Sequence, residues 1–285
     1  MAVPAFWRSS LDPERAMNAG ITHWQEDQQQ QCEDQLTVEE PLEVRIDSHS
    51  LAVIMRTPGH DHELAAGFLF TEGAVRQPRD ILVIEGAADP EGLPLANVVN
   101  IVLHPGDSQA VQPHPVALER HFAVSASCGL CGKNSIADLM LTAPPLTADE
   151  LRIPASIIYS LPLQLRTAQA VFTHTGGLHA AGLFDITGKP ILLREDVGRH
   201  NAVDKLIGHG LLHGGFPYTN HILMVSGRTS FEIIQKALLA RIPCVAAISA
   251  PSSLAVELAD RSGITLIGFL RNHSMNVYTH AHRIV

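Results

Sequence analysis

The stretch His221-Ile-Leu-Met-Val-Ser-Gly-Arg-Thr-Ser-Phe-Glu-Ile-Ile-Gln-Lys-Ala-Leu-Leu-Ala-Arg-Ile-Pro-Cys-Val-Ala-Ala-Ile-Ser249 decides the fold. A short apolar run reads as a strand, a loop rich in glycine and hydroxyls follows, residues 230–240 read as a helix, and a second strand candidate begins at Cys244. Working outward, strands are expected over 169–173, 180–185, 191–195 and 265–269, and helices over 201–209 and 253–262. Such alternation favours an α/β layer around a mostly buried sheet.

Ligands of open α/β sheets bind beyond the carboxyl ends of the strands. Four loops expected there are Thr173-His-Thr-Gly-Gly-Leu-His179, Asp196-Val-Gly-Arg-His-Asn201, Ser226-Gly-Arg-Thr-Ser230 and Ser249-Ala-Pro-Ser-Ser253. Each mixes glycine, hydroxyl or cationic residues just before a helix or turn. Any one alone is better explained as a helix cap, but four on one edge would suit a phosphate-bearing ligand. None is a Walker loop or a Gly-x-Gly-x-x-Gly turn.

The N-terminal part reads differently. Residues up to about 40 include Gln25-Glu-Asp-Gln-Gln-Gln-Gln-Cys-Glu-Asp-Gln35, a polar stretch without an apolar period, and a mobile or variable arm is expected. Leu42-Glu-Val-Arg-Ile-Asp47 alternates like a half-buried strand, and Leu51-Ala-Val-Ile-Met-Arg56 reads as its hairpin partner. A helix follows, with Asp61 the expected N-cap and Gly73 the stop. Strands over 81–85 and 97–103 complete a small α+β unit.

The chain has 285 residues, 46% hydrophobic and 17% charged, which fits a globular protein of one large or two small domains. No run approaches the apolar length of a membrane helix, and the first residues lack a secretory pattern, so a cytoplasmic protein with reduced thiols is expected. The formal charge of −9 argues against a general nucleic-acid binder.

Of four cysteines, Cys32 and Cys244 stand alone, and Cys244 reads as a small hydrophobe in a buried strand. Cys128 and Cys131 form a Cys-x-x-Cys pair in Ser127-Cys-Gly-Leu-Cys-Gly-Lys133, ahead of a helix expected over 134–141. Such a pair can share a metal, cycle through a disulfide, or carry a sulfur atom on one thiol while the other resolves it. A structural zinc lacks a second pair, and a zinc deaminase would need a proline where Ser127 stands. A thioredoxin-like role would leave the anion-binding loops unexplained. Sulfur transfer is the remaining option. Lys133 and a helix N-terminus would both favour a thiolate.

Five ordered blocks carry a resemblance. They are Thr57-Pro-Gly-x-Asp-x-Glu-Leu-Ala-x-Gly-Phe-Leu69, Ser127-Cys-Gly-Leu-Cys-Gly-Lys133, Glu195-Asp-Val-Gly-Arg-His-Asn-Ala-Val-Asp-Lys205, Ser226-Gly-Arg-Thr-Ser-Phe-Glu232 and Ser249-Ala-Pro-Ser-Ser-Leu-Ala255. Together, over about residues 41–285, they resemble the FdhD family of formate dehydrogenase accessory sulfurtransferases. The resemblance implies a cytidine-deaminase-like three-layer α/β domain, which with its cysteine loop occupies 126–285, after the smaller α+β subdomain over 41–125 and the variable arm over 1–40 that the residue patterns give. It implies a homodimer that takes sulfur from a cysteine desulfurase and passes it, before insertion into formate dehydrogenase, to the bis-pterin guanine dinucleotide cofactor of a molybdenum or tungsten enzyme, with Mo-bis(molybdopterin guanine dinucleotide) the expected form.

Carried over by residue, Cys128 matches the persulfide-bearing cysteine and Cys131 its partner. Phe269, Leu270, Arg271, Asn272, His273 and Ser274 match the segment that contacts the guanine dinucleotide. Arg199, Arg228 and Arg271 are the candidates for pyrophosphate contacts, because a guanidinium binds phosphate oxygens bidentately. His174, His179 and His200 are candidates for proton transfer or phosphate binding. Asn272 stands where the family pattern has a glycine soon after the arginine, and asparagine tolerates the left-handed backbone that such a turn needs. No metal ligand set is expected. The alternative role is a non-catalytic chaperone that binds the cofactor and delivers it.

Overall fold

A computed structural model describes residues 14–88, 91–104, 143–147 and 149–285. Cys128, Cys131, Lys133 and the helix expected over 134–141 lie outside the described residues.

Six strands form the larger sheet: β7 (His179–Asp185), β8 (Pro190–Asp196), β9 (His221–Val225), β10 (Cys244–Ala247), β11 (Thr265–Arg271) and β12 (Ser274–Val277), in the order β12-β11-β10-β9-β7-β8. β9, β10 and β11 run parallel, while β7 is antiparallel to both β8 and β9. Alternate residues of these strands enter two cores. Leu183, Leu223, Val245 and Leu266 meet α4 (Arg199–His213), α5 (Phe231–Leu239) and α6 (Ser253–Ser262) on one face. Phe184, Met224, Cys244 and Ile267 meet α2 (Ala155–Ala168) on the other. The result is the expected α/β layering of helices, sheet and helices. Cys244 is fully buried, and that burial pushes its thiol up to about 12, so it packs as a hydrophobe.

The smaller sheet has the order β4-β3-β6-β5, from β3 (Glu40–Ile46), β4 (His49–Arg56), β5 (Ile81–Ala88) and β6 (Pro94–Leu103). The hairpin expected between β3 and β4 is present, and Asp47 and Ser48 at its tip have φ of 46° and 68°. Positive φ at both central residues matches the right-handed twist of the strands it joins. Leu42, Val44, Ile54 and Ile101 pack on α1 (Asp61–Thr71) through Leu64, Ala65 and Leu69.

Helix α1 lies across α4 at backbone contact. A Cβ on Gly67 would sit 1.9 Å from the Asp204 carbonyl oxygen, and one on Gly208 would sit 1.8 Å from that of Glu63. Only glycine fits on either side. Polar groups reinforce the crossing: the Lys236 ammonium donates to the Asp204 carboxylate at 2.7 and 2.8 Å, and the Thr71 hydroxyl donates to Asp204 at 3.0 Å.

Three local readings change. The polar segment expected as a mobile arm contains a hairpin, β1 (Ala16–Gln25) paired with β2 (Gln28–Thr37). Ladder hydrogen bonds need no apolar period, so both strands keep most side chains in solvent. The hairpin's base is fastened where the Thr37 and Thr175 hydroxyls meet at 2.8 Å.

Of residues 169–173, expected as a strand, Gln169 is the N-cap and 170–173 belong to helix α3 (Ala170–Thr175), which follows α2. The Glu195 carboxylate accepts the Val171 and Phe172 N–H groups at 3.2 and 3.0 Å, satisfying the orphan amides of that helix start. Pro162 lies inside α2, but Ile158, Leu161 and Leu165 bury one helical face around it.

Asp61 is the first residue of α1, and the N-cap is His60 with φ 60°. The Asp61 carboxylate is taken instead by Arg56, through bonds of 3.0 and 2.9 Å. Gly73, with φ 82°, ends the helix as expected.

A candidate anion site on the edge of the larger sheet

Because β7 runs against β9, its first residue lies at the carboxyl ends of β8, β9, β10 and β11. All four loops singled out in the sequence therefore reach one edge. The 173–179 loop arrives from helix α3 rather than from a strand.

Asp196, fully buried at the end of β8, organises the first loop. Its carboxylate accepts the Gly198 N–H at 2.8 Å, the Asn201 amide at 2.9 Å and the Thr57 N–H at 3.3 Å. The Lys205 ammonium pairs with it at 2.7 Å and donates to the Thr57 carbonyl at 2.8 Å. Burial lowers the Lys205 pKa, while the Asp196 charge and hydrogen bond work against that. One buried pair thus fixes both the start of α4 and the turn that begins α1.

Arg199 is the first residue of α4, and its Nε is buried with no hydrogen-bond partner among the described residues. Its side chain reaches over β7 to the β9 loop, where a Cβ on Gly227 would sit 3.2 Å from His179 Nδ1 and 3.6 Å from Arg199 Cδ. Glycine at 227 therefore lets His179 and Arg199 approach the loop backbone. The Thr229 hydroxyl beside it is also buried and unpartnered among the described residues. Buried polar atoms are normally satisfied, and orphans at a ligand-binding edge point to a ligand. Arg228 is exposed at the same loop.

Two imidazoles of this edge, His179 and His200, are held below the ordinary histidine range. Burial and then the charges of Lys236 and Arg199 pull His200 down to about 4, against an opposing pull from Glu232. Burial and the Arg199 charge likewise lower His179. His200 Nε2 lies 3.1 Å from the Ser230 hydroxyl and 3.8 Å from a Glu232 oxygen. His174 is exposed on α3 and joins none of these contacts.

The segment matched to the dinucleotide contact spans β11, a tight turn and β12. Phe269 has φ 52°, is exposed, and donates its N–H to the Ser249 carbonyl at 3.2 Å. Gly268 lets the 249–251 loop close over the strand, since a Cβ there would meet Pro251 Cδ at 3.0 Å and the Ser249 oxygen at 3.1 Å. Leu270 points into the core, 1% exposed. Arg271 and Ser274 face each other across the turn, both exposed. Asn272 and His273 form that turn with φ of 51° and 56°, so asparagine supplies the left-handed conformation that a glycine would. The His273 ring meets Tyr159 of α2 edge-on at 5.7 Å. Phe269 lies two strands along the edge from the β9 loop, about 10 Å at normal strand spacing. The edge thus brings Arg199, Arg228 and Phe269 within the span of one nucleotide-sized ligand.

Two features escaped the sequence reading. Glu195 caps α3, although its neighbour Asp196 drew attention as a loop residue. Glu63, His209 and His213 converge where α1 meets α4, and the four-residue spacing of the two histidines was the available signal.

The same chain can be set beside known proteins. Proteins named sulfur carrier protein FdhD share 50% identity over 256 residues in Streptomyces avermitilis, covering 88% of this chain and 89% of that one. The Mycobacterium tuberculosis protein of that name is 47% identical over 274 residues, covering 93% and 96%. The crystal structure of a protein assigned as a formate dehydrogenase accessory protein from Desulfotalea psychrophila superposes with a TM-score of 0.72 at 23% identity, covering 95% of this chain and 99% of the other. Residues 37–285 match the FdhD/NarQ family, and this chain belongs to it.

Proposed function

We propose that this protein is a sulfur carrier in formate dehydrogenase maturation, taking sulfur from a cysteine desulfurase on Cys128 and delivering it to a cofactor held along the sheet edge. The buried Arg199 Nε at the start of α4, without a partner among the described residues, carries the acceptor half of this reading. The names of the relatives support the sulfur half.

The Cys128 thiolate attacks the outer sulfur of the desulfurase persulfide, the S–S bond breaks, and the desulfurase thiolate leaves. Cys131 then attacks Cys128 Sγ. The outer sulfur departs as sulfide and would replace an oxygen ligand of the acceptor, which leaves as water; the two cysteines supply the sulfide's two electrons as they form a disulfide, and a dithiol reductant restores them. The acceptor is Mo-bis(molybdopterin guanine dinucleotide), with Arg199 and Arg228 on its phosphates and Phe269, Arg271, Asn272, His273 and Ser274 along its guanine part. The backbone of Leu270 contributes to that wall. The working form is a cytoplasmic homodimer.

Incubation with a desulfurase and cysteine should add sulfur to the peptide containing Cys128, read by mass. Cys128→Ala should lose that gain, and sulfur retained on the variant overturns the assignment. A double cysteine variant that still supports an active dehydrogenase would favour the delivery chaperone. For the sheet edge, Arg199→Ala should weaken binding of guanosine diphosphate at least about tenfold, the scale of a charge-assisted hydrogen bond.

A further inference from the structure

We propose that Glu63, His209 and His213 bind one divalent transition-metal ion, with zinc the best match, where α1 crosses α4. One ligand atom from each residue lies within 4.8 Å of the others. His209 Nδ1 is 2.9 Å from Glu63 Oε1, and His213 Nε2 is 3.8 Å from the same oxygen. Those values straddle the edge of about 3.3 Å that a tetrahedral zinc site has with bonds near 2.0–2.1 Å. The histidines are one turn apart on α4, with ring centroids 4.6 Å apart and planes inclined at 49°, so two nitrogens converge from one helix face.

Arg194 shapes the site. Its Nη2 donates to Glu63 Oε1 at 2.7 Å and lies 3.1 Å from His209 Nδ1. If Nδ1 accepts from Arg194, its lone pair faces a carboxylate oxygen at 2.9 Å. If Nδ1 carries a proton, it donates that proton to Glu63 Oε1 while Arg194 Nη2 points a second N–H at the same nitrogen. A cation bound between Nδ1 and Oε1 relieves the first arrangement, and Arg194 then serves as the hydrogen-bond partner that a metal-bound carboxylate commonly has. The guanidinium also offsets the Glu63 charge, so affinity will be below that of a closed four-ligand structural site. His213 is 58% exposed, which leaves the fourth position to water. With one ligand on α1 and two on α4, the ion would act as a clip across that crossing.

The test uses the untagged full chain carrying Cys128→Ser and Cys131→Ser, so that the thiol pair takes no metal. Zinc titration by calorimetry should find one site per chain. Cobalt should give visible bands of a nitrogen and oxygen site without an intense thiolate band. Adding His213→Ala should weaken zinc about tenfold or more and remove the cobalt bands, while melting of the metal-free protein stays unchanged because His213 is exposed. Zinc should raise the melting temperature of the parent and not of the His213→Ala chain. Absence of a stoichiometric site in the protein lacking the Cys128–Cys131 pair, or equal affinity with and without His213, overturns the proposal.

Discussion

His200 shows how a single side chain ties stability to the candidate site. Its imidazole stays neutral down to about 4 in the fold, where burial and the charges of Lys236 and Arg199 hold off a proton, whereas in the unfolded chain it titrates near 6.5. Stability is therefore whole above about pH 6.5 and drains away as pH falls toward 4. His60, also depressed to about 4 by burial and by Arg194, acts in the same direction. Glu63 extends the loss. Burial alone would raise its carboxyl, but the hydrogen bonds from Arg194 and His209 outweigh that and hold it at about 2, so its contribution disappears between about 4.5 and 2. His200→Gln should flatten the fall in melting temperature between pH 6.5 and 4, by on the order of 2 kcal/mol of acid-labile stability. A variant whose melting curve keeps the parent slope there would refute this role. The histidine itself was visible as a loop residue in the sequence. Its neutrality was not, because that arises from burial and then from the charges of Lys236 and Arg199, one of them on another helix.

Among the elements, the α1–α4 crossing sets how the small subdomain sits on the large one. Gly67 and Gly208 each face the partner helix's backbone at a distance no Cβ tolerates. Gly208→Ala should cost about 3 kcal/mol in urea denaturation, since the helices must separate to admit one methyl group. A loss below about 1 kcal/mol would mean that the crossing is compliant. Element readings held where periodicity and turn chemistry agreed: helix α6 (Ser253–Ser262) has the expected bounds and ends at Gly263 with φ 76°. They failed where a distant residue decided. Val171 and Phe172 are good strand formers, yet Glu195, 24 residues from Val171, caps them as a helix. Asp61 looks like an N-cap until Arg56, five residues back, claims its carboxylate.

For the whole molecule, buried ion pairs join the parts. Lys205 and Asp196 are both fully buried, and their bonds to Thr57 link the sheet-edge loop to the start of the small subdomain's helix. Lys205→Met leaves Asp196 without its counter-charge and should cost about 3–5 kcal/mol, measured by chemical denaturation. A cost near zero would show that Asp196 is held well enough by N–H donors alone. Arg56, 2% exposed, links Glu40, Asp61 and Asn97 across β3, α1 and β6 in a comparable way. The described helices include none long and apolar enough to cross a membrane.

The sequence by itself determined the alternation of strands and helices, the loops that meet at one edge, the buried character of Cys244 and the family, because apolar period, turn residues and ordered motifs are local in the chain. Only the tertiary structure decided that the N-terminal segment pairs with itself as a hairpin, that Leu270 faces the core while Phe269 faces out, and that Arg199 Nε has no partner among the described residues beside Gly227. It also decided that Glu63, His209 and His213 share one corner. Each of these depends on which residues, some as distant in the chain as Glu63 and His213, compete for the same hydrogen bond, charge or space, and that competition exists only once the chain has packed.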